Sequence, residues 1–382
     1  MRYRVTCLTP TLVGDGHKLA PIDYMVWKDQ INVLDQTRIF RLLSKGPRLE
    51  NYLTQIRKAE KLEFAAWGGF AQNYAGRRIP FEHSSSTAHW ERARAESLFI
   101  PTFASGLRGP YLPGSALRGA LRTGVVHARY SEAMLREVAA RLQADRSPRR
   151  PAEALEQAAL GSSGQNRMRA TGAADSDPIA AANLKVYLLR VSTLVARGPK
   201  LELGWKTAPR GTVDGRRPED STPMFVEMAV PGTVFEGDWE QRGFFAQPDI
   251  LRALHWKDAP DFHRLCEAAN GYAAQLLTLH RQYADTAGLS LLSSGIEALQ
   301  SRLEEVRTAG NAALVPLGWG TGLLGKSAVL DTGNEDYRKI MRQVPLYARA
   351  IESNLPFPKT RRIIFLANQP AALPGWTLLE VL

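Results

Sequence analysis

Residues Gly320–Ser327 read GTGLLGKS, which matches the phosphate-binding pattern G-x-x-x-x-G-K-[ST], yet the flanking sequence argues against the fold that pattern usually implies. A nucleotide-binding loop of this kind leaves a strand and opens a helix whose N-terminus faces the phosphates. Here the approach AALVPLGW carries Pro316, and the exit AVLDTGNEDY soon meets Thr332-Gly333-Asn334, which leaves little room for such a helix. The sequence after Ser327 is also too short for the strands that would bring a magnesium-binding carboxylate to the phosphates in a doubly wound sheet. The chemistry of the segment survives the loss of that fold. Gly318, Gly320, Gly322 and Gly325 let a backbone approach an extended ligand closely and offer N–H donors to phosphates, while Trp319 and Lys326 add stacking and charge.

The charge balance points the same way. Against 38 Asp and Glu the chain sets 49 Lys and Arg, a net charge of +11, which favours a polyanionic partner. A guanidinium can grip a phosphate with two hydrogen bonds and stack on a base, so the arginine bias suits nucleic acid. No apolar run approaches the roughly 20 residues that span a bilayer, and MRYRVTCLTP lacks a signal-peptide core, so a cytoplasmic chain is expected. Cys7 and Cys266 are far apart in sequence and read as buried small hydrophobes.

Along the chain, Tyr3, Val5 and Cys7 alternate with Arg4 and Thr6 as in a strand, and Pro10 ends the run. DYMVW and INVLD predict a hairpin around Lys28 to Gln30, after which Thr37 can cap a helix through IFRLLSK. Helical character continues over Leu49 to Leu62, and the aperiodic stretch from Trp67 to Glu91 reads as an insertion. LFIPTF is a strand candidate. Pro113, Gly114 and Ser115 then open the clearest helix, with Leu117, Leu121 and Val125 on one face and Arg118 and Arg122 on a neighbouring one. The Pro-, Gly-, Ser- and Arg-rich stretch Asp145 to Pro178 reads as a mobile linker in which Asp175 and Asp177 are solvated. NLKVYLLRVSTL, KLELGWK, PMFVEMAV, RRIIFLA and WTLLEVL are strands, and about Asp249 to Val306 is mostly helical. A faint echo links CLTPTLVGDG at Cys7 with MAVPGTVFEGD at Met228, as if two halves each opened with the same strand and turn.

These elements give an α+β chain of two ferredoxin-like units with helical insertions. The expected division is an N-terminal unit over 1–145, a flexible Arg-rich linker over 146–180, and a second unit over 181–382 that carries the glycine-rich loop. No HExxH or GxSxG motif occurs, and the seven histidines show no zinc-ligand spacing, so neither a metal nor another cofactor is expected. Candidate binding sites are the glycine-rich loop and the helix N-terminus at LPGSALRG, where Ser115, Arg118 and Arg122 would suit a backbone phosphate. The basic run FPKTRR, which contains Lys359, Arg361 and Arg362, is a third.

Taken in order, LTPTLVGDG, DY with its hairpin, LPGSALRGALRT, PMFVEMAVPGTVF, LGWGTGLLGKS and PKTRR resemble the RAMP superfamily of CRISPR systems. Within it the segments look most like the Csm-type subunit that caps the 3′ side of the guide RNA in type III-A effector complexes. The resemblance implies two ferredoxin-like, RRM-related units and a non-catalytic, crRNA-binding scaffold linked to 3′-end maturation. Its implied partners are crRNA and target RNA, the Csm backbone and small subunits, and crRNA-trimming nucleases. The RNA contacts it implies are Gly318, Trp319, Gly320, Thr321, Gly322, Gly325 and Lys326, then Lys359 and Arg361, then Ser115, Arg118 and Arg122. The N-terminal turn departs from the commoner histidine-containing form, because His17 follows the second glycine. A contrasting expectation is a RAMP-type endoribonuclease using His17, Asp15 or Asp23.

Overall fold

A computed structural model of the chain describes residues 1–44, 49–58, 73–144, 152–207, 215–352 and 355–382. Two antiparallel five-stranded sheets organise it. In the first, Arg2–Cys7 lies between Trp376–Val381 and Val234–Gln241, with Ala312–Pro316 at one edge and Thr171–Ala173 at the other. The predicted alternation of the first strand is what the sheet uses: Tyr3, Val5 and Cys7 are buried, while Arg4 and Thr6 are only partly so. The pairing joins the first residues of the chain to its last, with Tyr3 opposite Val381 and Cys7 opposite Thr377.

The second sheet is built on the 14-residue strand Leu184–Arg197. Along one edge its first half pairs with Met224–Ala229 and its second half with Lys200–Trp205; along the other it pairs with Thr360–Leu366, which hairpins into Gln369–Ala372. Both faces are covered. Tyr187, Leu189 and Ile364 pack into one core with Tyr3 and Val5, and Leu188, Ile363 and Phe365 pack into another. The near-continuous apolar run of LKVYLLRVSTLV is the signature of such two-sided burial.

The helix Phe262–Thr286 joins the two cores, with Leu265, Cys266 and Ala269 in the first and Tyr272, Leu276 and Leu277 in the second. Midway, Asn270 acts as a strand surrogate: its side-chain amide donates to Ala312 O and its carbonyl accepts from Leu314 N, both at 2.9 Å. The edge strand that leads into the glycine-rich loop is thereby fixed to the helix. Cys7 and Cys266 are free and buried, and burial pushes each thiol up to about 12. No helix among the described residues is long and apolar enough to cross a membrane.

The hairpin Tyr24–Trp27 and Gln30–Leu34 forms as predicted, with left-handed Lys28 and Asp29 at its tip. The helix after it runs Gln36–Leu43 and is capped by Asp35, whose carboxylate accepts from Arg38 N, rather than by Thr37. The described part of the expected insertion is ordered, with Ala75–Pro80 as a third strand on the hairpin and a helix over Ser85–Arg92. LFIPTF contributes only the short strand Ile100–Pro101.

The largest correction concerns 152–180, expected as part of a linker. Residues 145–151 lie outside the described residues, but from Glu153 the chain forms a helix to Leu160 and then adds Thr171–Ala173 to the first sheet. Leu155, Leu160, Met168, Ala170 and Thr171 are buried. Composition misled because the few apolar residues here dock on surfaces made elsewhere in the chain. The two echoing segments also touch: Thr11 and Ala229 exchange backbone hydrogen bonds of 3.1 and 2.8 Å, and Gly232 N donates to Cys7 O.

Candidate nucleic-acid interface

The strand Ala312–Pro316 delivers the chain into the glycine-rich segment, which turns through left-handed Gly318, Gly320 and Gly322. Gly318 is packed against the N-terminal turn. A Cβ there would lie 2.0 Å from Leu12 O, and the neighbouring Trp319 N donates to that same carbonyl at 2.7 Å. At Gly320 a side chain would meet Pro374, and at Gly325 it would meet Thr321; at Gly322 nothing lies within 4 Å, so that glycine faces open space. The segment ends in a single 3-10 turn, Leu324–Lys326, and Ser327 is extended. The next helix starts only at Glu335, so the helix N-terminus required by a nucleotide-binding loop does not follow the pattern.

Opposite the loop runs Thr360–Leu366. Its register sets Arg361 against Ser192 and Arg362 against Val191, so the two arginines leave the sheet on opposite faces. Arg361 turns toward the helix Phe262–Thr286. Its Nε donates to His280 Nδ1 at 3.0 Å, its Nη1 donates to Pro358 O and Thr360 O, and its guanidinium lies 4.5 Å over the Tyr283 ring. Burial pushes it down to about 10. Arg362 instead stacks on Trp319 at 5.0 Å, makes no hydrogen bond with a described residue, and has a buried Nε with no partner. Arg362 is therefore the arginine of this run that meets the glycine-rich loop.

Trp319, Gly320, Thr321 and Gly322 line one cleft of about 1340 Å³ together with Lys359, Arg361 and Arg362. Gly318, Gly325 and the exposed Lys326 are outside its lining. Ser115, Arg118 and Arg122 are outside it too, and the helix Gly114–Arg129 is engaged within the protein. Asp175 Oδ1 accepts from Gly114 N at 2.9 Å, so a carboxylate sits where a phosphate was expected; Asp175 and Asp177 are both exposed, as expected, and Asp177 also pairs with Arg2. Arg118 donates to Met168 O at 3.0 Å, Arg122 pairs with Glu156, and Ser115 is exposed. A trans cap of this kind, from a residue 61 positions away, leaves no local sequence signal.

The residues of the nuclease expectation serve the turns. His17 is exposed with Nδ1 3.2 Å from Thr102 Oγ1, Asp15 accepts from His17 N, and Asp23 accepts from Ala20 N. Among the described residues no group of three or more His, Cys, Asp or Glu could hold a metal ion.

His280 accepts from Arg361 through Nδ1, so it is neutral, and burial followed by the nearby Arg361 charge holds it well below its ordinary value of 6.5. The unfolded chain takes up this proton near the ordinary value and the folded chain does not. Stability is thus full above that pH and falls below it, by up to about 1.4 kcal/mol per pH unit from this group. In His280→Asn the amide oxygen can take over as acceptor without titrating. Thermal melts at about pH 7.5 and about pH 5.5 should show a smaller acid loss in the variant than in the parent; equal losses would remove His280 as a source.

A sequence profile described as the RAMP superfamily matches residues 4–238. Two solved structures share the fold over essentially their full length. One is a chain of a Csm–crRNA–target RNA ternary complex of a type III-A CRISPR-Cas system, with a TM-score of 0.70 and 19% identity, covering 100% of both chains. The other is T. onnurineus Csm5, with a TM-score of 0.64 and 17% identity, covering 98% of this chain and 99% of that one. No protein of curated function matches the sequence.

Proposed function

Because the chain belongs to the RAMP superfamily, we propose that it is a non-catalytic, crRNA-binding subunit of a type III-A Csm ribonucleoprotein. In this reading the two sheets with their helices are two ferredoxin-like units. The subunit caps the 3′ side of the assembly, abuts the Csm backbone and small subunits, borders crRNA and target RNA, and supports maturation of the crRNA 3′ end by trimming nucleases. The likeness in fold to a chain of a Csm–crRNA–target RNA complex and to T. onnurineus Csm5 supports the placement. The observation that carries RNA binding is the cleft in which Trp319 and Gly322 meet Arg362: an aromatic platform, an open backbone and a cation without an ion-pair partner among the described residues. Stacking tolerates any base and phosphate contacts carry no sequence information, so such a site holds a guide of arbitrary sequence.

Trp319→Ala should weaken binding of unrelated single-stranded RNAs about equally, by roughly tenfold, which corresponds to about 1.4 kcal/mol within the range of base–aromatic stacking. Arg362→Gln should lower the salt slope of binding by about 0.7. Fluorescence anisotropy across a salt series reads both effects, and unchanged affinity and slope in both variants would remove the loop from the interface. Labelled guide RNA should stay intact with and without magnesium; cleavage that disappears in His17→Ala, Asp15→Asn or Asp23→Asn would replace this reading with an endoribonuclease.

A further inference from the structure

The cleft has a second wall that the glycine-rich loop does not supply. It comes from the arm that carries the helix Ser85–Arg92, which is tied to the second sheet by Glu82 N donating to Val186 O and by Phe81 in the core beside Val186 and Leu188. From this arm His89, Arg92 and Arg94 line the cleft, and from the strand behind it so does Arg190. Arg92 and Arg94 are exposed, and neither guanidinium forms a hydrogen bond or ion pair with a described residue.

Arg190 is the informative member. It is only 2% exposed, and burial lowers its pKa. Its hydrogen-bond acceptors are all uncharged: Ser221 O at 2.6 Å, Ser221 Oγ at 3.0 Å and His89 Nδ1 at 3.3 Å. With Nδ1 accepting, the His89 ring carries its proton on Nε2, which reaches Asn368 Oδ1 at 2.8 Å. No carboxylate of a described residue forms an ion pair with Arg190, although Glu219 acts on it at longer range. Neutral acceptors orient a guanidinium without cancelling its charge, and a buried charge left this way is costly until a counter-ion arrives.

We propose that this arm is the second phosphate-binding wall of the cleft, so that a short single-stranded run of RNA lies between it and the Trp319–Arg362 platform. The inference rests on the RNA-binding reading and extends it to Arg92, Arg94 and Arg190, with His89 orienting the last through its Nδ1. The volume sets the scale. A cleft of about 1340 Å³ exceeds the roughly 300–1,000 Å³ of a pocket for one small ligand, so it has room for more than one nucleotide.

The test uses the purified full chain, labelled oligouridines of about four and about twelve nucleotides, and a duplex of the longer length, in salt-series anisotropy. The double variant Arg92→Gln, Arg94→Gln alters exposed side chains, so its melting temperature should equal the parent's. With the longer single strand its salt slope should fall by about 1.4, which is about 0.7 for each phosphate no longer neutralised, and the shorter strand should show a clear share of the same reduction. A parental slope in the double variant, or binding of the duplex as tight as that of the single strand, overturns the second wall. If at the same time Trp319→Ala still weakens binding, the RNA-binding reading stands without it; if the parent binds no RNA, that reading itself fails.

Discussion

Glu227→Ala should lower the stability of the chain by about 3–5 kcal/mol, the range found when one partner of a buried ion pair is removed. Glu227 lies on Met224–Ala229 and is completely buried. Its carboxylate accepts from Phe103 N at 3.1 Å and forms an ion pair with Arg77, which comes from the strand Ala75–Pro80. Alanine would leave Phe103 N–H without its acceptor and the Arg77 side chain, 31% exposed, without its counter-charge. The alternative cause, a simple cavity, is separated by the double variant Arg77→Met, Glu227→Leu. It removes both charges and should recover most of the loss, because two desolvation penalties vanish with the pair. Urea denaturation of the three proteins checks this; a loss below about 1 kcal/mol in Glu227→Ala would mean that the pair does not hold the hairpin arm to the second sheet.

Gly318→Ala should cost about 3 kcal/mol, and Gly322→Ala only about 1–2. Both glycines are left-handed, at φ +81° and +76°, so both substitutions carry backbone strain. They differ in what a side chain would meet. At 318 the new carbon would fall 2.0 Å from Leu12 O, so the loop must part from the N-terminal turn and break the bond from Trp319 N to that carbonyl; at 322 it would meet nothing. Equal losses in the two variants, measured by urea denaturation, would show that the packing against Leu12 does not anchor the loop.

Elements that carry their own periodicity were readable in the sequence. The alternation of Tyr3, Val5 and Cys7, the apolar run at Leu184 and the spacing of Leu117, Leu121 and Val125 each forecast the element found, because the pattern reports the surface each residue buries. The segment 152–180 was not readable in this way. Its helix and short strand are stabilised by docking on Val234–Gln241 and on Gly114–Arg129, and that docking has no local signature. The same reason hid the second wall of the cleft, since Arg92 and Arg94 line it together with Arg190, which lies about a hundred residues further along the chain.

The sequence by itself determined the chemistry: a basic chain, a glycine-rich segment able to approach phosphates, a nearby run of lysine and arginine, and a superfamily likeness spread along its length. It could not decide which side chains meet the glycine-rich loop. Arg361 and Arg362 are adjacent and chemically identical, yet one is held by His280, Tyr283 and backbone carbonyls while the other stacks on Trp319. That choice belongs to the pairing of Thr360–Leu366 with Leu184–Arg197, strands some 170 residues apart, because a shift of one residue in register exchanges the faces of the two arginines.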